Sequence, residues 1–245
     1  MAIADALGDI SAATVVEIGP GRGAITEILA RRAARLVAIE VDRELAPQLR
    51  ARFTGQAQVE VVQADVLTVD LMALRRGGER LAVVGNLPYY ITSDILLRLF
   101  ELHAGISRAV VMVQREVADR IAATPGTRDY GLLSATAQLY ARVQRVLTLP
   151  PSAFSPPPEV HSTVLRLTMR PRFEELGVEP AGFIAFLKAG FAQKRKTLAK
   201  NLRAAGFDAG RVAMTMEMAA IPGMTRAEEV ELERMAALWR NLKEE

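Results

Sequence analysis

The sequence predicts an α/β chain, with a mostly parallel, helix-flanked sheet over residues 1–171 and a small helical domain over 172–245. Two observations carry this. Short β-rich runs alternate with helical patterns from Thr14 to about Met169, at the spacing of right-handed βαβ units. From about Arg172 onward no strand pattern recurs, and Gly206, Pro222 and Gly223 punctuate helical stretches.

The expected parallel strands are Thr14 to Ile18, Leu36 to Glu40, Val59 to Gln63, Leu81 to Asn86 and Arg108 to Gln114. Each is a short apolar or alternating run of the length a buried strand needs. Helical patterns separate them at Ala24 to Arg31, Asp42 to Phe53 and Ser93 to His103. After Gln114 the pattern changes to two helices, about Arg115 to Ala123 and Leu132 to Ala141, around a Pro-Gly loop. Strands Arg142 to Leu149 and Ser162 to Met169 then enclose Pro150–Pro158, where five prolines in nine residues exclude helix and central strand. So short and stiff a connection predicts an antiparallel addition at the sheet edge and presents Phe154. Beyond it, Ala181 to Leu202, Asp208 to Met216 and Arg226 to Leu242 are expected as helices.

Composition removes several kinds of chemistry. With no cysteine, disulfides, thiolate nucleophiles and Cys-rich zinc sites are excluded. His103 and His161 are the only histidines, which leaves no histidine-built metal centre, and neither carries the function. No apolar run approaches the ~20 residues needed to span a bilayer and no signal peptide opens the chain, so a cytoplasmic protein is expected. The net charge of +3 hides a segregation: residues 194–203 carry five basic residues and no acid, whereas the stretch after Arg226 is rich in glutamate. Such asymmetry fits a polyanion partner. At ~100° per residue, a helix over 187–203 would set Leu187, Phe191, Leu198 and Leu202 opposite Lys196, Lys200 and Arg203. A merely solvated basic face is the alternative.

The chemistry gathers where strands end. Glu17-Ile-Gly-Pro-Gly-Arg-Gly23 follows the first strand, and Gly19, Gly21 and Gly23 permit backbone shapes and ligand approach that a Cβ would block. Glu40, 21 residues past Gly19, stands where an acid grips a ribose diol. This loop alone does not separate NAD from S-adenosylmethionine, because Gly19, Gly21 and Ala24 also satisfy the dinucleotide fingerprint. Asp65 ends the third strand where the adenine amine of a nucleoside cofactor would lie; alone it is a weak signal, because Asp is common at strand exits as a helix cap. At the fourth strand's tip, Asn86-Leu-Pro-Tyr-Tyr90 offers a carboxamide, a proline-stiffened turn and aromatic faces. Asn86, the Leu87 carbonyl, Pro88 and Tyr89 together could hold a planar heterocycle by its exocyclic amine. All these sites sit at carboxyl ends of strands, where open α/β sheets bind ligands.

These motifs, in this order, resemble the KsgA-type ribosomal RNA adenine N6-dimethyltransferases. The matching stretches are Val16 to Thr26, Ile39-Glu-Val-Asp42, Gln63-Ala-Asp65, Gly85 to Thr92, Val113 to Val117, Tyr130 to Ser134, Pro151 to Val160 and Phe191 to Leu198. The resemblance implies a Rossmann-like, seven-stranded S-adenosylmethionine methyltransferase fold with a helical C-terminal domain. It implies that a monomer transfers two methyl groups to each of two adjacent adenines near the 3′ end of small-subunit rRNA, without a metal. By position, it places Glu17, Gly19, Gly21, Gly23, Glu40, Val41, Asp65, Val66 and Asn86 at the cofactor. Asn86, Leu87, Pro88, Tyr89 and Phe154 fall at the target base, and Lys194, Arg195, Lys196, Lys200 and Arg203 on the RNA. One departure stands out: family members usually carry a basic segment with a Gly-Gln-x-Phe-Leu-like motif ahead of the first strand, and this sequence starts close to that strand. Either the chain is truncated or its start is misplaced, and weakened cofactor binding is expected. The rival readings are an NAD-dependent dehydrogenase, a non-catalytic rRNA assembly factor and a large-subunit rRNA methyltransferase of the antibiotic-resistance type.

Overall fold

The computed structural model describes residues 2–243. Its sheet runs β3-β2-β1-β4-β5-β7-β6. The strands are β1 (Thr14–Ile18), β2 (Arg35–Glu40), β3 (Val59–Gln63), β4 (Leu81–Asn86), β5 (Ile106–Gln114), β6 (Ala141–Leu149) and β7 (Ser162–Met169). β1 to β5 pair in parallel, while β7 is antiparallel to both β5 and β6. Every residue of β1 is buried, which suits a parallel strand covered on both faces. The edge strand β3 is only half-buried.

Helices α1 (Ala2–Ala6), α2 (Thr26–Ala30), α3 (Leu45–Arg52) and α4 (Thr92–Glu101) cover this sheet. On one face Leu7, Ile10, Leu29, Leu49 and Phe53 join Val15, Leu36, Ala82, Val84, Val110, Met112 and Val164 in a continuous core. Helix α1 has no counterpart among the expected elements; five residues are too few to show a 3.6-residue period. The expected strands agree with the structure to within two residues, and β7 lies between β5 and β6.

The chain divides into two compact units, one running to Ala118 and resuming over Ala141–Met169, the other comprising Asp119–Tyr140 and the residues from Arg170 onward. The division differs from a single boundary at 171/172, because the end of α5 (Arg115–Ile121) and all of α6 (Leu132–Tyr140) belong with the helical unit. Contacts distant in sequence hold them there. Tyr130 and Phe191 have ring centroids 6.0 Å apart, Gly126 N donates to Glu228 O at 2.8 Å and Lys194 Nζ to Arg128 O at 3.1 Å.

The rest of the helical unit is α7 (Phe173–Leu176), α8 (Pro180–Gly190), α9 (Leu198–Ala204), α10 (Ala209–Met218) and α11 (Leu232–Lys243). Phe186 is its centre, with the Trp239 ring 5.3 Å and the Phe207 ring 6.0 Å away. The single helix expected over Ala181 to Leu202 is corrected: it breaks at residues 191–197. Two side chains impose the break. Thr197, in extended conformation, caps α9 by accepting from Lys200 N, and the buried Asn201 donates Nδ2–H to Gly190 O at 2.6 Å and Gln193 O at 3.1 Å. Gly190 O, Gln193 O and Lys200 N thereby gain partners without a continuous helix, and the helical wheel drawn over 187–203 does not apply. No described helix is long and apolar enough to cross a membrane.

Candidate active site

Strand order reverses between β1 and β4, so the crevice of this sheet opens between the loops that follow them. The β1 loop is built on left-handed glycines, with φ of 63° at Gly19, 57° at Gly21 and 83° at Gly23. At Gly23 space matters as well, since a Cβ would lie 2.8 Å from Leu49 Cδ2. Gly19 N donates to Ile39 O at 3.0 Å, tying the loop to β2. The Glu40 carboxylate completes the tie: Oε2 accepts from Gly21 N and Oε1 from Asp42 N, each at 3.0 Å. A sequence reading assigns Glu40 only to a ligand; the structure gives it a second task, fixing the loop.

Glu17 is 2% exposed within β1, and its Oε2 has no hydrogen-bond partner among the described residues. Burial pushes its carboxyl up to about 7; the neighbouring Thr26 hydroxyl opposes the shift and the Glu40 charge reinforces it. A buried acid with an unpartnered oxygen beside a glycine loop is a candidate functional group.

A cavity of about 140 Å³ opens at these strand ends. Gly19, Glu40, Val41, Asp65, Val66 and Pro88 line it, bringing together residues that the sequence places on four separate strand exits. Ile18, Ile39, Ala64, Tyr90, Ile91 and Ile95 complete the wall. The sequence reading missed these; the i, i+4 spacing of Ile91 and Ile95 at the start of α4 was the one available signal. Asp65 Oδ1 accepts from Leu67 N at 2.9 Å, so this acid also shapes its own turn. Arg98, another residue missed, reaches from α4 to donate to Leu67 O and to Val69 O at 2.6 Å, clamping the segment that follows Asp65.

The Asn86 to Tyr90 segment is held on both sides. Leu87 N donates to Met112 O at 3.0 Å, and the Leu87 side chain is buried. Pro88 O accepts from Thr92 Oγ1 at 2.8 Å at the mouth of α4. Asn86 and Tyr89 are exposed. The glycine loop lies against the same tip: a Cβ on Gly19 would stand 3.7 Å from Asn86 O. Gly85 is required by packing, since its Cβ would meet Ile18 O at 2.7 Å. Phe154 is partly buried against the core that Met112 and Val164 help to form. Lys194, Arg195 and Lys196 are exposed in the turn between α8 and α9, and Lys200 and Arg203 are exposed on α9.

A seven-stranded sheet whose β7 enters antiparallel between β5 and β6 departs from the 3-2-1-4-5-6 order of dinucleotide folds. Together with the glycine loop, the β2 acid and the apolar cavity, it defines an S-adenosylmethionine-dependent methyltransferase. The comparison with known families is specific: residues 3–244 match the ribosomal RNA adenine dimethylase family, and the chain belongs to it. It is 64% identical to ribosomal RNA small subunit methyltransferase A of Acidobacterium capsulatum over 99% of this chain and 86% of that one. The protein of the same name from Koribacter versatilis is 57% identical over 98% of this chain and 88% of that one. Among solved structures, a dimethyladenosine transferase from Plasmodium falciparum shares the fold at a TM-score of 0.79, with 21% identity, covering 97% of this chain and 92% of that one. The 23S rRNA methyltransferase ErmE superposes at 0.74 with 28% identity, covering 99% and 96%.

Proposed function

We infer that this chain dimethylates the N6 amines of two adjacent adenosines near the 3′ end of small-subunit rRNA, using S-adenosylmethionine, during small-subunit biogenesis. The observation that carries this reading is the 64% identity, over nearly the whole chain, to a small-subunit rRNA methyltransferase. The large-subunit enzyme ErmE stands at 28%.

The residues present fit the cofactor. Glu40 lines the cavity and keeps carboxylate lone pairs for ribose hydroxyls, while Asp65 accepts from an adenine amine. Val41 and Val66 offer apolar contact to the base, and Glu17 Oε2, buried beside the glycine loop, has no hydrogen-bond partner among the described residues. Gly19, Gly21 and Gly23 let backbone approach the ligand. When bound, S-adenosylmethionine supplies an electrophilic methyl group on a sulfonium.

The remaining work is orientation. An exocyclic aromatic amine is a weak nucleophile because its lone pair is delocalised into the ring. Asn86 Oδ1 and the Leu87 carbonyl accept hydrogen bonds from its hydrogens and favour the pyramidal nitrogen that attack requires. Pro88 fixes this turn, and Tyr89 and Phe154 stack on the base, at ~1–3 kcal/mol per stacked base. The adenine is splayed out of its RNA stack before it enters. Positioning supplies most of the acceleration. The methylated ammonium loses its proton to water, so no strong base is needed. Lys194, Arg195, Lys196, Lys200 and Arg203 contact the RNA backbone, and the enzyme acts as a cytoplasmic monomer.

The test is labelled-methyl transfer to unmethylated small subunits, with mass spectrometry of the product nucleosides. Dimethyladenosine is expected in the small-subunit RNA; label confined to large-subunit RNA would overturn the reading. Asn86→Ala is expected to abolish transfer while sparing RNA binding, and an equal loss of both would break the division of roles. Calorimetric titration should show S-adenosylhomocysteine binding and no NAD binding.

A further inference from the structure

The antiparallel part of the sheet carries an unassigned cluster of cations. Register places Arg108 of β5 opposite Thr168 of β7, and Thr168 opposite Arg142 of β6. One row further, Arg166 lies opposite Val110 on one side and Gln144 on the other. Paired residues and residues two apart share a face, so Arg108, Arg142, Arg166, Thr168 and Gln144 all project from the same side. Three guanidiniums, a hydroxyl and an amide lie together with no carboxylate between them.

Their polar groups are incompletely used. The Nε atoms of Arg108 and Arg166 are buried and have no hydrogen-bond partner among the described residues. Neither the Arg142 nor the Arg166 side chain makes a hydrogen bond or an ion pair among the described residues. Arg108 donates to the backbone oxygen of Asp9, and the Asp9 carboxylate is engaged by Ser11 N at 2.9 Å. That acid offsets only part of the charge. Burial, and after it the Arg166 charge, holds the Arg108 guanidinium below its ordinary value. Like charges on diagonal positions of one sheet face repel, and a bound anion would relieve them. Arginine's planar fork suits a phosphate, which only accepts hydrogen bonds.

We propose that Arg108, Arg142 and Arg166 form a phosphate-binding site for the RNA backbone on the β5–β7–β6 face, at the end of the sheet away from the methyl-transfer cleft. The proposal rests on the rRNA reading above. From Arg108 to Gln114 the strand rises roughly 20 Å, so the site holds RNA several nucleotides away from the reacting adenine. It positions the substrate and takes no part in the chemistry.

The test measures affinity of the full chain for unmethylated small subunits across a salt series. Arg166→Gln and Arg142→Gln are each expected to weaken binding about threefold to tenfold and to reduce the log–log salt slope by about 1. Arg166→Lys should keep the slope. S-adenosylhomocysteine affinity and Tm should stay at wild-type values in all three. Unchanged affinity and slope would overturn the proposal, as would a lowered Tm with an unchanged slope, which marks a structural role. Binding to vesicles of anionic phospholipid as tight as to RNA, lost in the same variants, would overturn the assignment to RNA. Failure of the functional reading is separate: wild-type protein would then bind small subunits with the same slope changes and leave them unmethylated.

Discussion

Glu17→Gln isolates the energetic cost of burying an acid within β1. The glutamine has the size and shape of the protonated glutamic acid, so the two proteins differ mainly when Glu17 ionises. Its carboxyl is raised from 4.5 to about 7 in the folded chain, chiefly by burial. The sign follows from proton counting: between those values the folded state holds a proton that the unfolded state has released, so wild-type stability falls as pH rises. Below pH 4.5 both states are protonated and the cost vanishes; above pH 7 it is complete. Two and a half pKa units correspond to about 3 kcal/mol. At pH 5 the cost is still under about 1 kcal/mol, which leaves a change of roughly 2.5 kcal/mol between pH 5 and pH 8.

Urea unfolding of wild type and variant at pH 5 and pH 8 reads this change directly, and packing differences common to both pH values cancel. The variant should gain on the wild type by the worked amount as pH rises, with the same m-value. A difference that does not move with pH, or one that favours the wild type at pH 8, would refute the raised Glu17 carboxyl.

Three further substitutions test packing and positioning, two beside the cleft and one in the helical unit. Gly85→Ala sets a Cβ 2.7 Å from the Ile18 carbonyl between adjacent strands; a loss of about 1–3 kcal/mol is expected in denaturant unfolding, and an unchanged midpoint would refute the packing role. Arg98→Met removes both donors to the turn after Asp65; cofactor affinity should fall about tenfold, equivalent to ~1.4 kcal/mol, with the turnover number less affected, and a selective loss of turnover would contradict the clamp. Thr197→Ala removes the cap of α9 and should cost about 1 kcal/mol by urea unfolding; Thr197→Ser should restore most of it.

The parts of the fold that could be read directly are those that local rules govern. β1 and β4 are apolar runs ending at glycine or asparagine, and their period and termini are written within a few residues. The candidate site was legible for the same reason: in an open parallel sheet, strand exits converge on one crevice. Four short motifs that are individually ambiguous become one cavity once the strands are in order. Asp65 illustrates how the ambiguity resolves. It caps no helix; its Oδ1 shapes its own turn by accepting from Leu67 N, and the residue lines the cavity.

What stayed hidden depends on partners far along the chain. The stretch from Ala181 to Leu202 has helical composition throughout, yet Asn201 reaches back to the carbonyls of Gly190 and Gln193 and stabilises an interruption. The break moves Lys194, Arg195 and Lys196 from a helix face to a turn, where their backbone is no longer constrained by helical spacing. Residues 119–140 likewise join the helical unit through Gly126 and Tyr130, whose partners lie at Glu228 and Phe191. Arg98 belongs to this group too, because its two acceptors are backbone oxygens some thirty residues earlier, at 31 and 29 positions of separation. A long side chain aimed at main-chain carbonyls leaves no trace in periodicity, since any residue type supplies the acceptor. The polar residues at the strand exits are therefore readable from type and position, whereas the residues that hold them in place emerge only from the packed chain.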